Sequence, residues 1–278
     1  MFTTLASAAD LAAHLNDPDW IVFDCRHDLA DIAAGRDAYS QAHIPGARFE
    51  HLDDDLSGLK TGTNARHPLP DPEVFCTKLA ALGLRDGMQV IAYDASGGCF
   101  AARLWWMLRW AGHTRCAVLD GGWNAWLAAK LPVSGALPTV TRGAFSGGAR
   151  DNAVDAATVM NRLGRPDHVL IDARSADRFR GENETLDPVG GHIPGAANRF
   201  FKLNLADDGR FKPATVLHHE FSELLGGLAA RQVVHQCGSG VTACHNLLAM
   251  EIAGLAGSRL YAGSWSEWCS DPLRPMAR

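Results

Sequence analysis

One series of short motifs occurs twice along this chain in the same order, and a repeated order of landmarks implies a repeated fold. Trp20-Ile-Val-Phe-Asp24-Cys-Arg26 returns as His168-Val-Leu-Ile-Asp172-Ala-Arg174, an apolar run closing in Asp-x-Arg. Ala42-His43-Ile44-Pro45-Gly46-Ala47 returns as Gly191-His192-Ile193-Pro194-Gly195-Ala196. Val90-Ile-Ala-Tyr-Asp94-Ala-Ser-Gly97 returns as Val233-Val-His-Gln-Cys237-Gly-Ser-Gly240, and Asp120-Gly-Gly-Trp123-Asn-Ala-Trp126 as Ala262-Gly-Ser-Trp265-Ser-Glu-Trp268. Counterparts stay 142 to 149 residues apart. Two domains of one fold are therefore expected: residues 1–137, a Pro-, Gly- and Ser-containing linker at 138–150, and residues 151–278. In each half short apolar strands alternate with helical patterns such as Ala101-Ala-Arg-Leu-Trp-Trp-Met-Leu-Arg-Trp110. That alternation predicts an α/β fold, each domain a mostly parallel sheet flanked by helices.

Composition narrows the function classes. A chain of 278 residues with 47% hydrophobic residues can bury two cores, and a net charge of -5 offers no basic face to nucleic acid. No apolar run approaches the roughly 18 to 20 residues that span a bilayer, and the N-terminus lacks a basic stretch followed by an apolar one. The sequence thus reads as a soluble cytoplasmic protein with no membrane partner. Its seven cysteines, Cys25, Cys76, Cys99, Cys116, Cys237, Cys244 and Cys269, include no CxxC pair. This excludes a disulfide framework or structural zinc as the expected reading, and no metal or cofactor is implied.

Cys237 stands apart by context. It follows an apolar strand, precedes a helix and opens the loop Cys237-Gly238-Ser239-Gly240-Val241-Thr242-Ala243, where ligands gather in parallel sheets. Two glycines let such a loop curl so that successive amide N–H groups face inward, and a nest on a helix N-terminus binds an anion. A thiolate there is expected to have a lowered pKa and to be nucleophilic. Phosphatases with similar loops place an arginine six positions after the nucleophile, and here that position is Ala243. The group transferred must need little cationic help, as a sulfur atom would. The first-half loop carries Asp94 in place of the thiol, so the first domain is expected to be catalytically silent and to wall one side of the cleft. Cys99 and Cys244 read as packing residues.

Together these motifs resemble the tandem-domain rhodanese family over nearly the whole chain: the two Asp-x-Arg strands, the two His-Ile-Pro-Gly-Ala turns, the silent and active loops and the Gly-Ser-Trp-x-Glu-Trp ending. Within that family, Cys-Gly-Ser-Gly-Val-Thr is the loop of the mercaptopyruvate-using branch, whereas thiosulfate users carry basic residues after the nucleophile. The resemblance implies that Cys237 takes sulfur from 3-mercaptopyruvate as a persulfide, releases pyruvate and passes the sulfur to cyanide, a small thiol or a thioredoxin-like acceptor, by ping-pong kinetics. It also implies a proton relay of Ser239, Asp53 and His67, with Gly238, Gly240, Val241 and Thr242 cradling the transferred atom. Arg178 matches one of two arginines that hold the donor's carboxylate. The second is missing, because Glu182-Asn-Glu-Thr-Leu-Asp-Pro-Val-Gly190 contains none. Arg180 and Arg103 are further candidates, Arg103 with a structural pairing as its alternative. A monomer is expected. Two other readings stay open: a thiosulfate-preferring rhodanese, and a persulfide carrier or regulatory module with no small donor.

Polar residues that recur in both halves, His43 and His192 and the pairs Asp24 with Arg26 and Asp172 with Arg174, read as structural. Trp123, Trp126, Trp265 and Trp268 read as packing, with Ser264 and Trp265 bordering the cleft. His235 reads as a core residue of the strand before the nucleophile.

Overall fold

A parallel strand bonded on both edges must be covered on both faces, and the most apolar segments of each half take that central place. The computed structural model describes residues 1–278. In the first half β1 (Leu5–Ala6), β2 (Trp20–Asp24), β3 (Arg48–Phe49), β4 (Gln89–Tyr93) and β5 (Cys116–Leu119) form a parallel sheet ordered β1-β5-β4-β2-β3. In the second, β6 (Ala153–Val154), β7 (Val169–Asp172), β8 (Ala197–Asn198), β9 (Val233–Gln236) and β10 (Arg259–Tyr261) repeat it as β6-β10-β9-β7-β8. Helices flank both sheets, as the alternating pattern predicts.

Every residue of β4 and of β9 is buried. Each is followed by a loop and a helix that is itself nearly enclosed: Ala101–Trp110 buries all of Ala101 to Leu108, and Thr242–Ile252 buries Ala243 to Met250. A helix without a polar face belongs inside a domain. The loop holding Asp94 in one half and Cys237 in the other is therefore clamped between two buried elements.

The tryptophans pack as read from the sequence. Trp126, Trp265 and Trp268 are fully buried, and the equivalent Trp126 and Trp268 donate their Nε1–H to the carbonyls of Pro132 and Pro275, both at 2.8 Å. Each Asp-x-Arg forms a buried ion pair, Arg26 to Asp24 at 2.6 Å and Arg174 to Asp172 at 2.7 Å. The same guanidiniums donate to the Ala42 and Gly191 carbonyls at 2.7 Å, tying the end of β2 or β7 to the His-Ile-Pro-Gly turn. His43 and His192 donate to the Tyr39 and Phe179 carbonyls at 2.7 and 2.9 Å, which gives both a structural task.

By backbone contacts the chain divides into two units. One comprises Met1–Gly58, Pro70–Arg150 and Asp208–Arg210, and the other Leu59–Leu69, Asp151–Asp207 and Phe211–Arg278. Residues 59 to 69 thus belong to the second unit although they lie in the first half of the sequence. Residues 138 to 150 carry no helix or strand.

His235 makes the buried core pH-sensitive. It is fully enclosed in β9 with Nε2 3.1 Å from the Met250 sulfur, and burial, aided by the charge of Arg199, lowers its pKa from 6.5 to about 3. Between those values the unfolded chain binds a proton on this ring and the folded chain does not, so stability falls as pH drops through that window. His235→Leu should remove up to about 1.4 kcal/mol per pH unit from the slope of unfolding free energy against pH, measured by urea titration from pH 7 to 4. An unchanged slope would contradict this assignment.

Candidate active site

In the first unit the loop after β4 is an anion nest occupied by its own side chain. The Asp94 carboxylate accepts the amides of Ser96 at 2.7 Å, Gly98 at 2.9 Å, Phe100 at 2.8 Å and Ala101 at 2.9 Å. Gly97 and Gly98 have φ of +73° and +90°, the left-handed conformations that aim those amides inward. Burial pushes the Asp94 carboxyl up, and the four amide donors oppose that push.

In the second unit the equivalent position is Cys237, 143 residues on. By position the donating amides correspond to those of Ser239, Val241, Ala243 and Cys244; Gly240 takes the left-handed turn with φ of +77°, but Val241 at φ of -89° does not share the conformation of Gly98, and the Cys244 amide donates to the Val241 carbonyl at 3.0 Å. Residues 237 to 241 are all buried, and Cys237 is 2% exposed. The loop is pinned from beneath by the helix Ser264–Trp268: the Cys237 amide donates to Ser264 Oγ at 3.1 Å, and the carbonyls of Cys237 and Gly238 accept the amides of Trp265 and Ser266 at 3.0 and 2.9 Å. Ser264 itself has φ of +54°, while its first-unit counterpart Gly122 has φ of +53°. A serine in that conformation is strained by roughly 1 to 3 kcal/mol. Its hydroxyl, which also donates to the Tyr261 carbonyl at 2.9 Å, is what the strain places beside Cys237.

The segment 59–69 brings two polar side chains onto this loop. His67 Nδ1 lies 2.7 Å from Ser239 Oγ, and both residues are 5% exposed. Arg66 anchors the segment, its amide donating to Ser266 Oγ at 3.1 Å and its Nε to Asp187 at 2.9 Å. Arg178 donates to Glu184 at 2.8 Å and lies 3.7 Å from Asp187. Glu184 also reaches Arg174 at 3.5 Å. Burial opposes ionisation of Glu184, but the Leu186 amide and Arg178 together hold its carboxyl below the usual range. Burial likewise favours a neutral Arg174, yet Asp172, Glu184 and Cys237 hold its pKa above the ordinary value.

Cys237, Ser239 and His67 are thus brought together with Gly238, Gly240, Val241 and Thr242, and Arg178 stands over Gly238. Asp53 lies in the first unit, with a carboxylate oxygen 3.8 Å from His27 Nε2. Arg103 is fully buried in the helix Ala101–Trp110 and donates to the Leu56 carbonyl at 3.2 Å. Arg180 is committed to Glu182 at 2.8 Å on the surface. Sequence reasoning passed over Arg66 entirely, although it directly precedes His67, and read Arg174 as a structural partner only. Ser264 was detectable by comparing the repeats, because a serine replaces a glycine at a position of the same backbone geometry.

Comparison with known proteins identifies the family and the fold. Residues 7–129 and 155–271 each match the rhodanese-like domain. A Pseudomonas aeruginosa protein described as a probable 3-mercaptopyruvate sulfurtransferase is 50% identical over 276 residues, covering 98% of this chain and 97% of its own. A Mycobacterium tuberculosis protein provisionally named thiosulfate sulfurtransferase is 36% identical, covering 99% and 96%. The crystal structure of SseA from Escherichia coli, described as a 3-mercaptopyruvate sulfotransferase with the rhodanese fold, superposes with a TM-score of 0.80 at 32% identity, covering 96% of this chain and all of that one.

The backbone at Gly240 leaves no room for a side chain: a Cβ there would stand 2.4 Å from the Ala262 carbonyl oxygen at φ of +77°. Gly240→Ala should therefore destabilise the protein by about 2 kcal/mol or more in chemical denaturation and abolish turnover. A variant with unchanged stability and activity would show that the loop is not held as described.

Proposed function

Since this chain belongs to the rhodanese family, in its tandem-domain form, we propose that it moves a sulfur atom from 3-mercaptopyruvate through a persulfide on Cys237 to a thiol or thioredoxin-like acceptor. The observation that carries this reading is the pairing of Cys237, at the mouth of a buried loop, with the Ser239–His67 contact of 2.7 Å. The thiolate attacks the donor's sulfur, the C–S bond breaks, and its electron pair goes to carbon as the enolate of pyruvate. The donor's S–H proton must travel to that carbon. Ser239 and His67 are placed to carry it, and the resemblance assigns Asp53 the carboxylate end of the relay. The products are then pyruvate and a Cys237 persulfide anion, which the amides at the turn of the Cys237 loop stabilise. In the second half-reaction the acceptor attacks the outer sulfur and restores the thiolate.

Local charge favours mercaptopyruvate over thiosulfate. Arg66 and Arg178 beside the loop are matched by Asp187 and Glu184, so the group as a whole is neutral. Such a site accepts a monoanionic carboxylate more readily than a dianion, which thiosulfate is. No helix is long and apolar enough to cross a membrane, and the protein acts, in this reading, as a cytoplasmic monomer.

With cyanide as acceptor, kcat/KM for mercaptopyruvate should exceed that for thiosulfate, and a tenfold preference for thiosulfate would reverse the donor assignment. Cys237→Ser should abolish turnover with both donors. Ser239→Ala and His67→Ala should each lower kcat with mercaptopyruvate by roughly a hundredfold, and the double variant by no more than either alone, as expected of one relay. Additive losses would separate the two roles.

A further inference from the structure

Building on that reading, in which Arg178 holds the donor's carboxylate, we propose that Arg66, reached from another part of the chain, is the second guanidinium of the clamp over Gly238 for that carboxylate and the one that determines donor specificity. Three observations converge. First, a Cβ on Gly238 would stand 2.7 Å from Arg66 Nη2 and 3.5 and 3.8 Å from Arg178 Nη2 and Nη1. Two cationic groups from distant segments therefore meet above the residue between Cys237 and Ser239. Second, Gly238, unlike Gly240, does not have positive φ, so no backbone demand explains a glycine there. The missing side chain is the space into which the Arg66 guanidinium reaches.

Third, the carboxylates beside the clamp orient it without consuming it. Asp187, 2% exposed, accepts from Arg66 Nε and Nη2 at 2.9 and 3.3 Å, and Glu184, 3% exposed, accepts from Arg178 Nε and Nη2 at 3.1 and 2.8 Å. A guanidinium has five N–H donors, and neither pair engages Nη1. Holding Nε and Nη2 on one side fixes the plane of each fork, the arrangement that suits bidentate recognition of a planar carboxylate. The two arginines are 27% and 22% exposed, open enough for a small ligand to reach. The stretch 182–190 supplies no second arginine, but it supplies Asp187, the carboxylate that retains Arg66 from another part of the chain.

The test compares two donors within each protein: mercaptopyruvate, and mercaptoacetone, in which a methyl group replaces the carboxylate. Wild-type enzyme should prefer mercaptopyruvate strongly in kcat/KM. Arg66→Met should shrink that preference by about tenfold to a hundredfold, mainly by raising KM for mercaptopyruvate, and Arg66→Lys should restore part of it. A partly misfolded variant would lose both donors equally and leave the ratio unchanged. Arg66→Met with the wild-type ratio would overturn the clamp while leaving the sulfur chemistry in place. Wild-type enzyme that turned over neither donor would remove the proposed function and the clamp with it.

Discussion

Four peptide N–H groups closing on one buried anion are the interaction on which this architecture turns. In the first unit the anion is built in: Asp94 fills its own loop and satisfies the Ser96, Gly98, Phe100 and Ala101 amides. In the second unit the corresponding loop begins with Cys237, whose side chain ends one atom sooner, at the sulfur bonded to Cβ. An added sulfur atom would extend it into the space that the Asp94 oxygens take. The first repeat thus displays an anion held by its own loop, the arrangement that the proposed persulfide at Cys237 would take up. A nest of fixed dipoles costs nothing to reorganise during reaction, which is why it suits an intermediate that must form and discharge repeatedly.

The remainder of the second unit keeps that loop rigid and its charge balanced. The helix Ser264–Trp268 holds the carbonyls of Cys237 and Gly238 from below, and the strained Ser264 bonds the Cys237 amide. Around the rim, Asp172, Arg174, Glu184, Arg178, Asp187 and Arg66 alternate in sign along a chain of contacts. Alternation leaves no large net field, so cations can stand near the sulfur without trapping a multiply charged ion. Ala243, where a phosphatase would have an arginine, suits the proposed reaction, in which the atom transferred is small and the leaving group is a stabilised carbanion.

Much of this was legible in the chain itself because it was written twice. Matching the halves gave the parallel sheets, the strand-end loops and the contrast of Asp94 with Cys237. It also marked polar residues such as His43 and His192 as structural, because they recur in both halves, whereas Ser239, which recurs as Ser96, and His67 drew their roles from the family resemblance. What repetition could not reveal lies where the halves differ or exchange material. The segment 59–69 lies within the first half of the sequence but packs into the second unit, so Arg66 carried no signature linking it to Gly238. Arg103 was open to two readings for a related reason, since a helix start beside a loop looks the same in sequence whatever its side chain faces; the structure buries it fully.

The most direct test of the account is intact-mass analysis after stoichiometric addition of mercaptopyruvate, followed by peptide mapping. The loop geometry predicts one extra sulfur atom per chain, located on Cys237 and removed by cyanide or a thiol. A protein that gains no sulfur, or carries it on Cys99, Cys244 or another thiol, would contradict the claim that this loop is built to hold a persulfide.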